Sequence, residues 1–184
     1  MDLTGKILIA MPGIGDDRFS GAVILICAHA EDFAMGIVLN KPMSGVTLPD
    51  LLDQLEIPLR VELPEFEVLN GGPVGKDRGF VLHSEDFNCD QATMTVGENL
   101  CLTATRDALH AIASAAPPEN AILALGYSGW GPGQIEAELQ DNAWLVSDCV
   151  HDLIYEHDHD TKWNRALDHL GISAANLQPD AGHA

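Results

Sequence analysis

Basic residues are scarce in this chain: nine lysines and arginines stand against 28 acidic residues among 184, a formal net charge of −19 at pH 7. The nine (Lys6, Arg18, Lys41, Arg60, Lys76, Arg78, Arg106, Lys162 and Arg165) are scattered, with no basic run. Duplex binding draws on a clustered basic face that releases counterions, so direct nucleic-acid binding is disfavoured. Cysteine is sparse too. Cys27, Cys89, Cys101 and Cys149 form no C-x-x-C pair, which argues against a zinc knuckle or a thioredoxin-like motif. No apolar run approaches the ~18 residues of a membrane span, so no membrane role is expected. The opening "MDLTGKILIAMPG" lacks a basic n-region. A secretory signal is therefore not expected, and the cytoplasm is the expected location.

What is present suits an acidic globule: 46% of residues are hydrophobic and mean hydropathy is +0.05. A chain of this length buries enough surface for one core without disulfide or metal staples. "KILIAM" at 6–11 and "AVILICA" at 22–28 are nearly continuous apolar runs rich in β-branched residues, which read as strands covered on both faces. "AMGIVLN" at 34–40 reads as a third strand, ended by Lys41-Pro42. Thr47 opens a short helix with Asp50 at the capping-box position and Leu51, Leu52 and Leu55 as its buried stripe. Strands are expected at 65–74, 79–84, 92–96 and 100–103. A helix capped by Thr105 runs to about Ala115, with Ala108, Leu109 and Ile112 inward, and Pro117-Pro118 stops it.

The strand "AILALGY" then leads into the glycine-rich "GYSGWGPGQ", read as a turn, and a helix at 132–140. The apolar "AWLV" follows. A last helix begins near Thr161 and stops at Gly171. The tail 173–184, "SAANLQPDAGHA", is small and polar, which leaves 1–172 as a single domain. Strands dominate the first half and helices the last third in irregular order, so the expected class is α+β.

Four stretches invite chemistry. In "GYSGWGPGQ" the serine lacks the second glycine of a G-x-S-x-G elbow, because Trp130 stands there. Gly129, Gly131 and Gly133 miss a dinucleotide fingerprint at Gln134. The simpler reading is a well-made helix entry. Cys27 and His29 share a strand face at a spacing too wide for direct proton transfer, and a core cysteine is the simpler account. His157 and His159 lie among carboxylates, yet a solvated acidic loop before a helix explains them equally well. No metal or cofactor is assigned. Finally, Asn40, Asn70-Gly71-Gly72 and Gln134 sit where strands end or a helix begins, and Arg78 and His83 flank the strand "GFVL". If those strand ends converge, these residues line a cleft.

Together "GKILIAMPGIGDDRFSGAVILICAH", "AMGIVLNKP", "VLNGGPVGKDRGFVLH" and "LGYSGWGPGQIEAELQDNAWL" resemble the AlgH/YqgE family of small bacterial proteins over roughly residues 5–172. The resemblance implies a single α+β domain whose mixed sheet is curled into a pseudo-barrel with flanking helices. It brings no established reaction; the family's name derives from a proposed role in transcriptional regulation. Its signature falls on Met11, Pro12, Gly13, Asn40, Pro42, Gly71, Gly72, Pro73, Gly79, His83, Gly126, Trp130, Gly133, Gln134, Asn142 and Trp144. Most of these set turns or packing. Ser128 stands where the family usually has alanine, and the His-Asp stretch 157–160 departs from relatives as well.

The preferred reading is a non-catalytic regulatory module that binds a protein partner or small ligand at Asn40, Asn70, Gly72, Arg78, His83, Trp130 and Gln134. No catalytic residue is assigned. The alternatives are a hydrolase or transferase with His83 as general acid–base, and a redox-responsive protein using Cys27.

Overall fold

The apolar runs become the middle of one curled sheet in the computed structural model, which describes residues 2–61, 67–88, 92–104, 106–114 and 117–177. The strands are β1 (Lys6–Ala10), β2 (Val23–His29), β3 (Ala34–Val38), β4 (Pro42–Thr47), β5 (Glu67–Asn70), β6 (Val74–His83), β7 (Thr93–Gly97), β8 (Leu100–Thr103), β9 (Ala121–Trp130) and β10 (Trp144–Asp148). Helices α1 (Leu48–Gln54), α2 (Arg106–Ile112), α3 (Gln134–Gln140), α4 (His151–Tyr155) and α5 (Lys162–His169) pack around them.

The main path runs β10-β1-β2-β3-β9-β6-β8-β7. β5 lies parallel to β9 and carries β4 antiparallel on its far side, so the sheet is mixed. β9 is the hub: its residues Leu123–Leu125 pair with β5, and Ser128–Trp130 pair with β3. Gly71 bridges the change of neighbour, donating to Leu125 O and accepting from Val38 N, both at 2.9 Å.

Strand alternation sends side chains to two faces, and here both faces are covered. Ile7, Ile9, Val23, Leu25, Leu82 and Leu102 point into the curl, where Leu153 and Ile154 of α4 and Ala166 and Leu167 of α5 plug it. Leu8, Ile24 and Ile26 point out beneath Ile135 of α3. Val68, Val81 and Leu123 point out beneath Leu48 and Leu52 of α1 and Leu109 and Ile112 of α2. The curl brings β7 against the start of β1, where a Cβ added at Gly5 would lie 2.8 Å from the Val96 carbonyl oxygen. The fold is thus α+β, a curled sheet with its own interior and one helical layer outside each half.

Several expectations shift in detail. The Thr47–Asp50 capping box forms, but α1 buries Leu48 and Leu52, leaving Leu51 and Leu55 half-buried. "GYSGW" is strand rather than turn: β9 continues to Trp130, and α3 starts at Gln134 after Gly133, whose φ is +69°. β6 starts at Val74, five residues early, with a register shift against β9 before Gly79. β4 and α4 are additional elements. Thr105 lies outside the described residues. Residues Ala174–Asn176 form a 3-10 turn, and Leu177 packs against the interior. No described helix is long and apolar enough to cross a membrane.

Candidate functional site

The residues singled out from the sequence do not meet in one cleft. Asn40 is structural: its Oδ1 accepts from Val23 N at 2.9 Å and its Nδ2 donates to Gly21 O at 2.8 Å, pinning the start of β2.

His83, the last residue of β6, is 0% exposed. Its Nδ1 donates to the Ser84 carbonyl at 2.8 Å, and its Nε2 meets the Thr103 hydroxyl at 2.7 Å. That hydroxyl lies 2.8 Å from the Thr93 hydroxyl, and the Phe87 ring stands edge-on at 5.1 Å. A general acid–base must reach a substrate proton, and both nitrogens of this ring are occupied inside the sheet.

The other reactive groups are equally enclosed. Cys27 points into the interior, where burial pushes its thiol up to about 12. The register of β2 against β3 shifts between Ile26 and Ala28. This breaks the alternation that would have put Cys27 and His29 on one face. His29 turns instead toward α3, accepting from Leu3 N at 3.1 Å and meeting Glu136 at 3.0 Å. Ser128 is fully buried, its hydroxyl 3.4 Å from the Gly71 carbonyl. The histidines at 157 and 159 part company, His157 exposed and His159 buried. Among the described residues no three His, Cys, Asp or Glu side chains are grouped to hold a metal.

Trp130 and Gln134 belong to a polar knot that sequence reading missed. Glu138 of α3 accepts from the Trp130 and Trp144 indoles on one oxygen (2.9 and 2.7 Å) and from Gln134 Nε2 on the other (2.8 Å). Gln134 Oε1 in turn accepts from Gly131 N at 3.0 Å, closing the helix entry. The two indoles stand edge to face at 6.1 Å. The available signal was the i, i+4 spacing of Gln134 and Glu138, which places both on one helix face.

The open surface lies elsewhere, around the irregular first half of β6. Asn70 and Gly72 line a cleft of about 230 Å³ with Arg18, Lys41 and Lys76. Arg78 and Trp130 line a second, of about 390 Å³, walled by Phe33, Phe80 and Tyr127. Here the Arg78 guanidinium lies 5.6 Å from the Phe80 ring centre and 6.0 Å from that of Tyr127. A third, of about 420 Å³, runs between α1, α2 and β6, with Lys76 and Arg106 at its edge. Three cations that look scattered in sequence, Arg18, Lys41 and Lys76, thus line one cleft. Beside Lys76, Gly75 takes a φ of +55° where β6 slips register, so this stretch departs from a regular ladder.

Arg18 is held by Asp16, Nε to Oδ1 at 3.0 Å and Nη2 to Oδ2 at 2.7 Å. The guanidinium's hydrogen bonds keep the Asp16 carboxyl below its ordinary value. Lys41 Nζ donates to the Ser20 carbonyl at 2.6 Å. Lys76 makes no hydrogen bond among the described residues.

Comparison with known proteins agrees with this architecture. The AlgH-like family model matches residues 7–175. A UPF0301 protein of Caulobacter vibrioides is 50% identical over 183 residues, covering 99% of this chain and 94% of the relative. One of Bradyrhizobium diazoefficiens is 50% identical over 189 residues, covering 99% and 88%. The solution structure of the AlgH protein of Pseudomonas aeruginosa superposes with a TM-score of 0.79 at 38% identity, over 100% of this chain and 97% of that one. A crystal structure from Corynebacterium diphtheriae shares the fold at a TM-score of 0.69 and 18% identity, covering 97% and 88%. The chain belongs to the AlgH-like family, whose members also carry the designation UPF0301.

Proposed function

We propose that this protein is a non-catalytic binding module of the cytoplasm that acts on gene expression indirectly, through a ligand or partner held at the clefts around β6. One observation carries the reading. The groups the sequence offered for covalent or proton-transfer chemistry, His83, Cys27 and Ser128, are all 0% exposed, while the open clefts present mainly cations, aromatics and an amide, with Asp17 at the rim of one and no histidine or cysteine in any of them. Such groups serve recognition rather than bond breaking. A buried thiol held toward 12 is also a poor redox sensor, because oxidation begins from thiolate.

The indirect route follows from charge: a body of −19 repels a phosphate backbone at long range. Purified protein is therefore expected to leave duplex DNA unshifted in a gel at physiological salt, and a tight shift would overturn the indirect role. The binding role is tested by mass spectrometry of what co-purifies with native protein. A bound molecule should be retained by His83→Gln and lost from a Lys41→Met/Lys76→Met double variant. Turnover of that molecule, abolished in His83→Gln, would contradict the reading.

A further inference from the structure

We propose that the cleft lined by Arg18, Lys41, Asn70 and Lys76 binds a small phosphomonoester. The assignment rests on the binding-module reading and names the ligand class at one of its clefts. Nine basic residues serve the whole chain, and three of them line this single hollow of about 230 Å³. They come from distant places: the 3-10 turn Asp17–Phe19, the β3–β4 link and β6. Asp16 offsets the charge of Arg18 and Asp17 lines the hollow as well, so the pull on an anion comes chiefly from Lys41 and Lys76, which have no carboxylate partner among the described residues.

Two of the three cations are aimed rather than loose. Asp16 grips the Nε and Nη2 edge of Arg18, leaving Nη1 unused among the described residues. The Ser20 carbonyl holds Lys41 through one of the ammonium's three donors. Asn70 Oδ1 accepts from Gly72 N at 3.3 Å, which leaves its Nδ2 without a partner among the described residues. The floor at Gly72 is bare backbone, because any Cβ there would overlap the Tyr127 carbonyl.

Two uncompensated lysines, with the free Arg18 Nη1 and Asn70 Nδ2 as further donors, suit a dianion with several acceptor oxygens better than a carboxylate with two. The volume exceeds a bare phosphate yet falls below the roughly 300–1,000 Å³ of sites for larger organic ligands. Phe19, Val38 and Pro73 supply an apolar wall for a short organic group, and Asp17 an acceptor for a hydroxyl on it. The occupant is thus a phosphorylated small hydroxy compound.

The test is a titration of ¹⁵N-labelled full-length protein with glycerol 3-phosphate, with inorganic phosphate and glycerate as companions. Glycerol 3-phosphate should move the amide signals of Arg18, Phe19, Gly72 and Lys76. Lys76→Met, an exposed change, should weaken binding about tenfold while leaving the spectrum otherwise folded. Glycerate should bind about tenfold more weakly or not at all. Silence of those amides at about 10 mM ligand, or shifts undiminished in Lys76→Met, overturns the site. Equal binding of glycerate overturns the phosphate assignment, and inorganic phosphate binding as tightly as the ester overturns the organic part. If the titration is silent but the double variant still loses a co-purifying molecule, the module reading stands and the phosphate assignment alone falls.

Discussion

Two groups of polar side chains are carried by the same curled sheet and meet opposite fates. His83, Cys27 and Ser128 lie on regular or bulged strand inside covered layers, and each is 0% exposed. Arg18, Lys41 and Lys76 hang from a turn, a link and the irregular start of β6, and they face an open cleft. The difference teaches that a reactive residue type is not a reactive group. Where both faces of a sheet are covered, a histidine or cysteine is satisfied in place and becomes structure; where pairing lapses, even common charges become available for recognition.

Substitutions separate the two groups by what they cost. Gly72→Ala should have the largest effect, because its Cβ would collide with rigid backbone of β9. A loss of about 3 kcal/mol or more is expected in urea unfolding. His83→Ala should cost about 2–4 kcal/mol by the same measurement, from a cavity, from leaving the Ser84 carbonyl unpaired and from taking one of the Thr103 hydroxyl's two partners. Glu138→Gln should cost about 1.5–3 kcal/mol and alter tryptophan fluorescence, since two indoles donate to that one carboxylate. Lys76→Met should change stability by less than about 0.5 kcal/mol while weakening anion binding. A reversal of this order, with Lys76 costly and His83 free, would dissolve the distinction between sealed and open groups.

Proton linkage gives a further contrast. The unfolded chain ionises the Cys27 thiol near its ordinary 9.0, whereas the fold resists until about 12. The unfolded state therefore holds fewer protons in that window. The contribution is full below pH 9 and is lost as pH rises toward 12, by about 1.4 kcal/mol per pH unit. Burial raises Cys149 and Tyr155 in the same sense. Cys27→Ala should make the alkaline fall in urea midpoint shallower without removing it.

Much of the fold was legible because its signals are local. "KILIA" and "VILICAH" read as strands since both of their faces are buried, and the Thr47–Asp50 box announces α1. β4 was not legible, for it lies at the sheet's edge with mostly exposed residues after a proline. "GYSGW" misled because its glycines signal a turn, whereas they serve close packing: Gly126 takes a φ of +74° and approaches the Gly72 and Val74 carbonyls. Of the candidate residues, Asn70 and Gly72 line a hollow together. Its cations could not be foreseen, because 23 positions separate Arg18 from Lys41 and 35 separate Lys41 from Lys76. Only the folded chain brings them together.

The sealed and open groups can be set against each other in the cell. Transcript profiles would be recorded for strains whose chromosomal copy carries Lys41→Met/Lys76→Met or His83→Gln, beside wild type and a deletion, with protein levels matched. The double variant should reproduce the deletion's profile and His83→Gln should match wild type. A wild-type profile from the cleft variant, with the deletion's profile from soluble, folded His83→Gln, would place the function at the buried histidine and contradict recognition at the open cleft.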